Sequence, residues 1–185
     1  MELETARLRL DALHPDDASA MFRYRADPEV ARYQGWLPES LAEVERFIGK
    51  QSAMPLPGTW FQRAIRLHDG VLAGDLGFCL SGDGQAEFGI TVAPSLQGRG
   101  VAREAAQALL GELFGRLDVH RVHASVDPRN LASMALMRCL GMRQEAHFRE
   151  SFRHRGEWVD DVVFALLARE WREFAANSAA MPASR

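Results

Sequence analysis

Gln97-Gly98-Arg99-Gly100-Val101-Ala102 is the stretch whose residue types and spacing speak most directly to chemistry. It is preceded by strand-forming Phe88, Ile90, Thr91 and Val92 and broken from them by Pro94. It is followed by apolar residues at helical spacing: Ala102, Ala105, Ala106, Leu109, Leu110, Leu113, Phe114 and Leu117. A strand, a glycine-bearing turn and a helix in that order leave backbone N–H groups unpaired at the positive end of the helix dipole. Such an end receives phosphate, and glycine lets the oxygens approach the backbone closely. The sequence predicts a pyrophosphate cradle. A P-loop would require Lys-Ser/Thr after the last glycine, where Val101-Ala102 stands. A dinucleotide fingerprint would require a third glycine where Arg103 stands.

The elements around the turn follow from periodicity and punctuation. Residues 6–13 alternate as a half-buried strand. Pro15-Asp16-Asp17 and Asp27-Pro28 open two short helices, and Ser40 with Glu43 forms a capping box for a helix running from Leu41 towards Met54. Strands are expected at 60–67 and 71–80, then the central strand near Glu87. After the central helix come a strand at 120–126, a helix at 131–140 closed by Gly141, and a hairpin of strands at 145–152 and 158–167. A short helix at 168–175 and a tail from Asn177 complete the chain. The expectation is a mixed α/β layer with helices on its faces, a single domain over 1–176, and a flexible 177–185.

Bulk properties narrow the class. At 185 residues, with 47% apolar and 25% charged, the chain reads as one globular domain with a proper core. A net charge of −3 argues against general nucleic-acid binding. The sequence lacks the apolar runs of a membrane span or a leader, and a cytoplasmic location is expected. Cys79 and Cys139, without ligand-like spacing, are expected to be small buried hydrophobes. His120 and His123 point to opposite faces of their strand, so no metal site is expected.

Gln97, Gly100 and Ala102 in the pattern Gln-x-x-Gly-x-Ala resemble the acyl-CoA loop of the GCN5-related N-acetyltransferase (GNAT) superfamily. Asn130-Leu131-Ala132-Ser133 with Gly141-Met142 resembles the Asn-x-x-Ser…Gly-Phe segment of its RimJ/RimL-like branch. Gly156-Glu157-Trp158-Val159-Asp160 is similar to that branch's closing strand, and Thr5 to Leu10 with Asp27 to Val30 to its opening elements. Together these matches cover almost the whole chain.

The resemblance implies a mostly antiparallel sheet split by a V-shaped acyl-CoA cleft. It implies acetyl transfer from acetyl-CoA to a primary amine, by direct attack through a tetrahedral intermediate. Pyrophosphate would lie on Gly98, Arg99, Gly100, Val101 and Ala102 beside Gln97. The pantetheine arm would run along Ile90, Thr91 and Val92, near Asn130 and Ser133. Removing the amine's proton assigns Glu87 or Glu150 as base. Met137 occupies the position where many members carry a tyrosine proton donor, which leaves Ser133 as the substitute. Tyr33, Trp36 and Trp60 lie where members shape the acceptor pocket. The acceptor is a small molecule or a protein N-terminus, and a homodimer is the family-based expectation. The rival reading is a non-catalytic acyl-CoA-binding domain of the same fold.

Overall fold

The computed structural model describes residues 1–180. Eight strands form one sheet in the order β1 (Leu3–Glu4), β2 (Leu8–Asp11), β3 (Trp60–Leu67), β4 (Leu72–Leu80), β5 (Gln85–Val92), β6 (Arg121–Val126), β8 (Glu157–Leu167), β7 (Arg143–His154). Every neighbouring pair is antiparallel except β5 and β6. That parallel pair is short, joining only Gln85, Ala86 and Glu87 to Arg121, Val122 and His123. Beyond it β5 stays paired with β4 as far as Val92, and β6 stays paired with β8 as far as Val126. Each strand follows its other partner, so the sheet opens into a V with Glu87 and His123 at its vertex.

Helices cover both faces. On one face lie α4 (Val101–Gly115), α5 (Leu131–Cys139) and Trp171 of α6 (Ala168–Ala180). Leu109, Leu110 and Leu113 of α4 meet Phe61, Phe78, Phe88 and Phe164 of the sheet in the larger core. On the other face, α1 (Ala18–Arg25) and α3 (Leu41–Gly49) pack Met21, Tyr24, Val44 and Ile48 onto Ala64 and Leu72. The short α2 (Pro28–Ala31) starts at Asp27, whose carboxylate accepts the Glu29 N–H as a cap.

A buried charge cluster fastens α1 to the sheet. Asp75 is fully buried and accepts hydrogen bonds from Tyr24 Oη (2.6 Å), the Arg25 guanidinium and the Gln62 amide. Gly77 makes room for that amide, since a Cβ there would stand 2.0 Å from Gln62 Oε1. Nearby, Arg66 bridges Asp11 and Asp17. A charge so far from water is tolerable only when its oxygens are occupied in this way.

Several boundaries differ from the sequence reading. α3 stops at Gly49 instead of running towards Met54, because Gln51 turns back and bonds the Phe47 carbonyl while its Oε1 takes the Gln62 N–H. The hairpin strands are longer than expected, leaving only Arg155-Gly156 at the turn. α6 continues through Ala180, past the expected start of the tail at Asn177, and residues 181–185 lie outside the described residues. Cys79 is half-buried and Cys139 exposed, so the expectation of two buried thiols is corrected; α5 ends with Cys139 turned away from the core.

Candidate active site

The turn after β5 is built by local chemistry. Pro94–Leu96 forms one turn of 3₁₀ helix, and Gln97 Nε2 reaches back to the Val92 carbonyl (2.9 Å). Gly98 and Gly100 then adopt φ of +71° and +78°, the left-handed region that other residues avoid. Gly100 is the N-cap of α4, and no side chain among the described residues bonds the first N–H groups of that helix. Those donors remain open to an anion in the cleft.

The turn is braced from the opening strands. Arg7 Nη1 donates to the Arg99 carbonyl (2.9 Å), and its Nε donates to Glu104 Oε2 (2.6 Å). Thr5 Oγ1 and the Arg7 N–H both donate to Glu104 Oε1. Burial alone would raise the Glu104 pKa, but these hydrogen bonds outweigh it and hold the carboxyl below its ordinary value. Arg7 therefore offsets a carboxylate that would otherwise oppose phosphate at this helix start. Nothing local in the sequence links residue 7 to residues 99 and 104, so Arg7 leaves no mark of this role along the chain.

A cleft of about 620 Å³ runs from this turn along the open V. Of the residues assigned from sequence to the cofactor, Ile90, Thr91, Val92, Gln97, Gly98, Gly100, Val101, Ala102, Asn130 and Ser133 all line it. Arg99 does not, since it contributes its carbonyl to the Arg7 brace instead. Asn130 caps α5, its Oδ1 accepting the Ser133 N–H (3.1 Å), which leaves the Ser133 hydroxyl facing the cleft without a hydrogen bond to any described residue. Met137, at the usual tyrosine position, is only 4% exposed and packs in the core. Glu29 and Val30, from the Asp27–Val30 segment, also line the cleft, as do Gln34 and Cys139, which no motif marks in the sequence.

The acceptor-side expectations divide. Tyr33 lines the cleft. Trp36 does not: its Nε1 donates to Glu43 (2.7 Å) and its ring packs on Phe47 and Arg25, so α3 holds it in place. Trp60 lies outside that cleft, half-exposed against Gly89 of β5. Glu150 sits in an irregular part of β7 at φ +46°, exposed, with its N–H bonded to Asp160. It is not brought to the cleft. Glu87 does not line the cleft either; it stands at the vertex where β5 and β6 part, its Oε2 4.0 Å from His123 Nε2.

Paired residues on adjacent strands share a face of the sheet. The register Trp60–Cys79–Glu87–His123 therefore sets these four in one row on the face opposite α4. The β7–β8 hairpin arches over that side, with His154 Nε2 donating to the Arg32 carbonyl (3.1 Å) and Arg155 Nη2 to the Ala31 carbonyl (2.6 Å). Among the described residues there is no group of three His, Cys, Asp or Glu side chains placed to hold a metal ion, and no helix long and apolar enough to cross a membrane.

The structural neighbours of this split sheet, with its glycine-led helix, are acetyltransferases. Residues 7–143 match the acetyltransferase (GNAT) domain, and the chain belongs to that family of enzymes. It is 29% identical over 174 residues to the uncharacterized N-acetyltransferase YnaD of Bacillus subtilis, covering 92% of this chain and 99% of the relative. A GNAT-family acetyltransferase structure from Bacillus anthracis superposes with a TM-score of 0.84 at 27% identity, covering 91% of this chain and 99% of the other. Mycobacterium smegmatis RimJ in complex with CoA-disulfide shares the fold, with a TM-score of 0.79 at 22% identity and coverage of 92% and 89%.

Proposed function

We propose that this enzyme transfers acetyl from acetyl-CoA to a primary amine. The observation that carries the reading is the continuity of one cleft from the open N–H groups of Gly98–Ala102, along Ile90–Val92 of β5, to Asn130 and Ser133 of α5. In this reading the turn holds pyrophosphate and Ile90–Val92 lie along the pantetheine arm. Asn130 and Ser133 contact the arm from α5. Acetyl-CoA supplies an activated thioester, so no nucleophile of the enzyme is required. Glu87 serves the removal of the ammonium proton at the vertex, and Ser133 supplies one to the departing thiolate.

The acceptor enters from the face bearing Trp60, beneath the hairpin. Two relatives matched over under half of this chain are named for different acceptors. They are the ribosomal protein uS5 alanine N-acetyltransferase and the spermidine N(1)-acetyltransferase of Escherichia coli. Both acceptors are primary amines, which is the class we assign here.

The test combines ligand-dependent stability with thiol release. Acetyl-CoA at a hundredfold excess over its dissociation constant raises stability by about 2.7 kcal/mol, and ATP leaves it unchanged. The same sample then releases CoA thiol with spermidine or with a peptide bearing an N-terminal alanine. Binding without thiol release across an amine panel would overturn the catalytic reading.

A further inference from the structure

We propose that His123 is a second catalytic group, taking the acceptor's proton together with Glu87. The inference rests on the N-acetyltransferase reading of the cleft and extends it to a residue that no family motif marks. Glu87 and His123 face each other across the only parallel pairing in the sheet. Their 4.0 Å separation is too long for a hydrogen bond. It is short enough for one nitrogen or one water to bond both groups at once.

Neither side chain is engaged elsewhere. Among the described residues, the Glu87 carboxylate makes no hydrogen bond, and the His123 ring is the one ionisable group that comes within 4.0 Å of it. His123 Nδ1 is buried with no partner, so the ring is not oriented by a second group and exchanges protons only through Nε2. Their surroundings are already paired off. On β6, Arg121 bonds Gln85 (2.8 Å) and Glu145 (2.6 Å), and Ser125 bonds Asp161 of β8 (2.5 Å). Cys79 of β4 lies beyond Glu87 and Ala165 of β8 beside His123, neither of them charged partners. A carboxylate and an imidazole left unsatisfied where β5 and β6 part, three residues along β5 from the cleft lining at Ile90, lack a third group, and an ammonium supplies it.

The step balances as follows. One N–H bond of the acceptor ammonium breaks, its electron pair stays on nitrogen, and the proton passes to Nε2 while the Glu87 carboxylate offsets the imidazolium charge. The freed pair forms the N–C bond at the thioester carbonyl, the C–S bond breaks, and the second nitrogen proton goes to the thiolate. The imidazolium then gives its proton to water. The products are the amide, CoA thiol and one proton.

The experiment compares the wild-type enzyme with His123→Gln, Glu87→Gln and the double variant. The probes are spermidine, an alkylamine that is protonated at neutral pH, and an arylamine that is not. Calorimetry with acetyl-CoA checks the fold and the cofactor cleft separately. His123→Gln is expected to lower kcat/KM for spermidine about a hundredfold while leaving the arylamine and acetyl-CoA affinity within about threefold of wild type. The double variant should be no slower than Glu87→Gln. Equal losses with both amines, or a parallel loss of acetyl-CoA affinity, would make His123 structural. An unchanged spermidine rate would remove it from the reaction while leaving the N-acetyltransferase reading intact. A wild-type enzyme inactive with every amine would overturn both.

Discussion

Gly100→Ala and Gly115→Ala place the same methyl group at the two ends of α4, and the structure predicts effects of opposite sign. Gly100 has φ +78°, where a Cβ costs about 1–2 kcal/mol. That Cβ would also stand 3.3 Å from Arg7 Nη2, pressing on the guanidinium that holds the Arg99 carbonyl and Glu104. Gly115 ends the helix on the right-handed side, and its Cβ would meet nothing within 4 Å. Alanine there gains about 0.5 kcal/mol of helix propensity. Urea denaturation without ligand should lower the midpoint for Gly100→Ala and raise it slightly for Gly115→Ala, with unchanged m-values. The second readout is calorimetric titration with acetyl-CoA. If the turn relieves its strain by leaving the left-handed region, the first amides of α4 rotate away from the cleft. A loss of about 1.4 kcal/mol or more, tenfold in the dissociation constant, should follow for Gly100→Ala and none for Gly115→Ala. A Gly100→Ala protein that binds acetyl-CoA as tightly as wild type would refute the assignment of these amides to the pyrophosphate.

Asp75→Asn removes the charge from a carboxylate that holds Tyr24, Arg25 and Gln62 and leaves Arg25 buried without its counterion, so stability should fall by about 3 kcal/mol in urea denaturation. Tyr24→Phe removes one bond of the same cluster and should cost about 1 kcal/mol. Glu104 is held below its ordinary pKa, so its contribution is present above the unfolded value of about 4.3 and is lost as pH falls through the lower folded value. The stability difference between wild type and Glu104→Gln should therefore narrow on acidification from about pH 6 to pH 3. Ser133→Ala should lower kcat more than acetyl-CoA affinity, and a parallel fall in both would leave Ser133 as a binding residue only.

The sequence alone determined what depends on neighbours along the chain. The strand, turn and helix from Gln85 to Gly115 are legible because alternation, Pro94, two glycines and helical periodicity act within a few residues of one another. The caps at Asp27, Ser40 and Asn130 are legible for the same reason, each side chain bonding an N–H two or three residues on. The resemblance of Gln97–Ala102 and Asn130–Ser133 to an acetyltransferase pointed to one cleft, and ten of the positions it assigned to a cofactor, Ile90–Val92 among them, line one cavity. Tertiary structure decided the rest, because long-range register and close approach leave no local mark. Trp36 has the residue type of a pocket wall and is instead held against α3 by Glu43 and Phe47. Glu150 is a carboxylate on a plausible strand, yet an irregularity in β7 leaves it outside the cleft. Arg7 reaches its turn only when β2 is laid beside α4, and His123 meets Glu87 only where β5 and β6 pair for three residues before each follows its other neighbour. The vertex of the cleft is thus a product of where strand pairing stops, which no stretch of the chain records by itself.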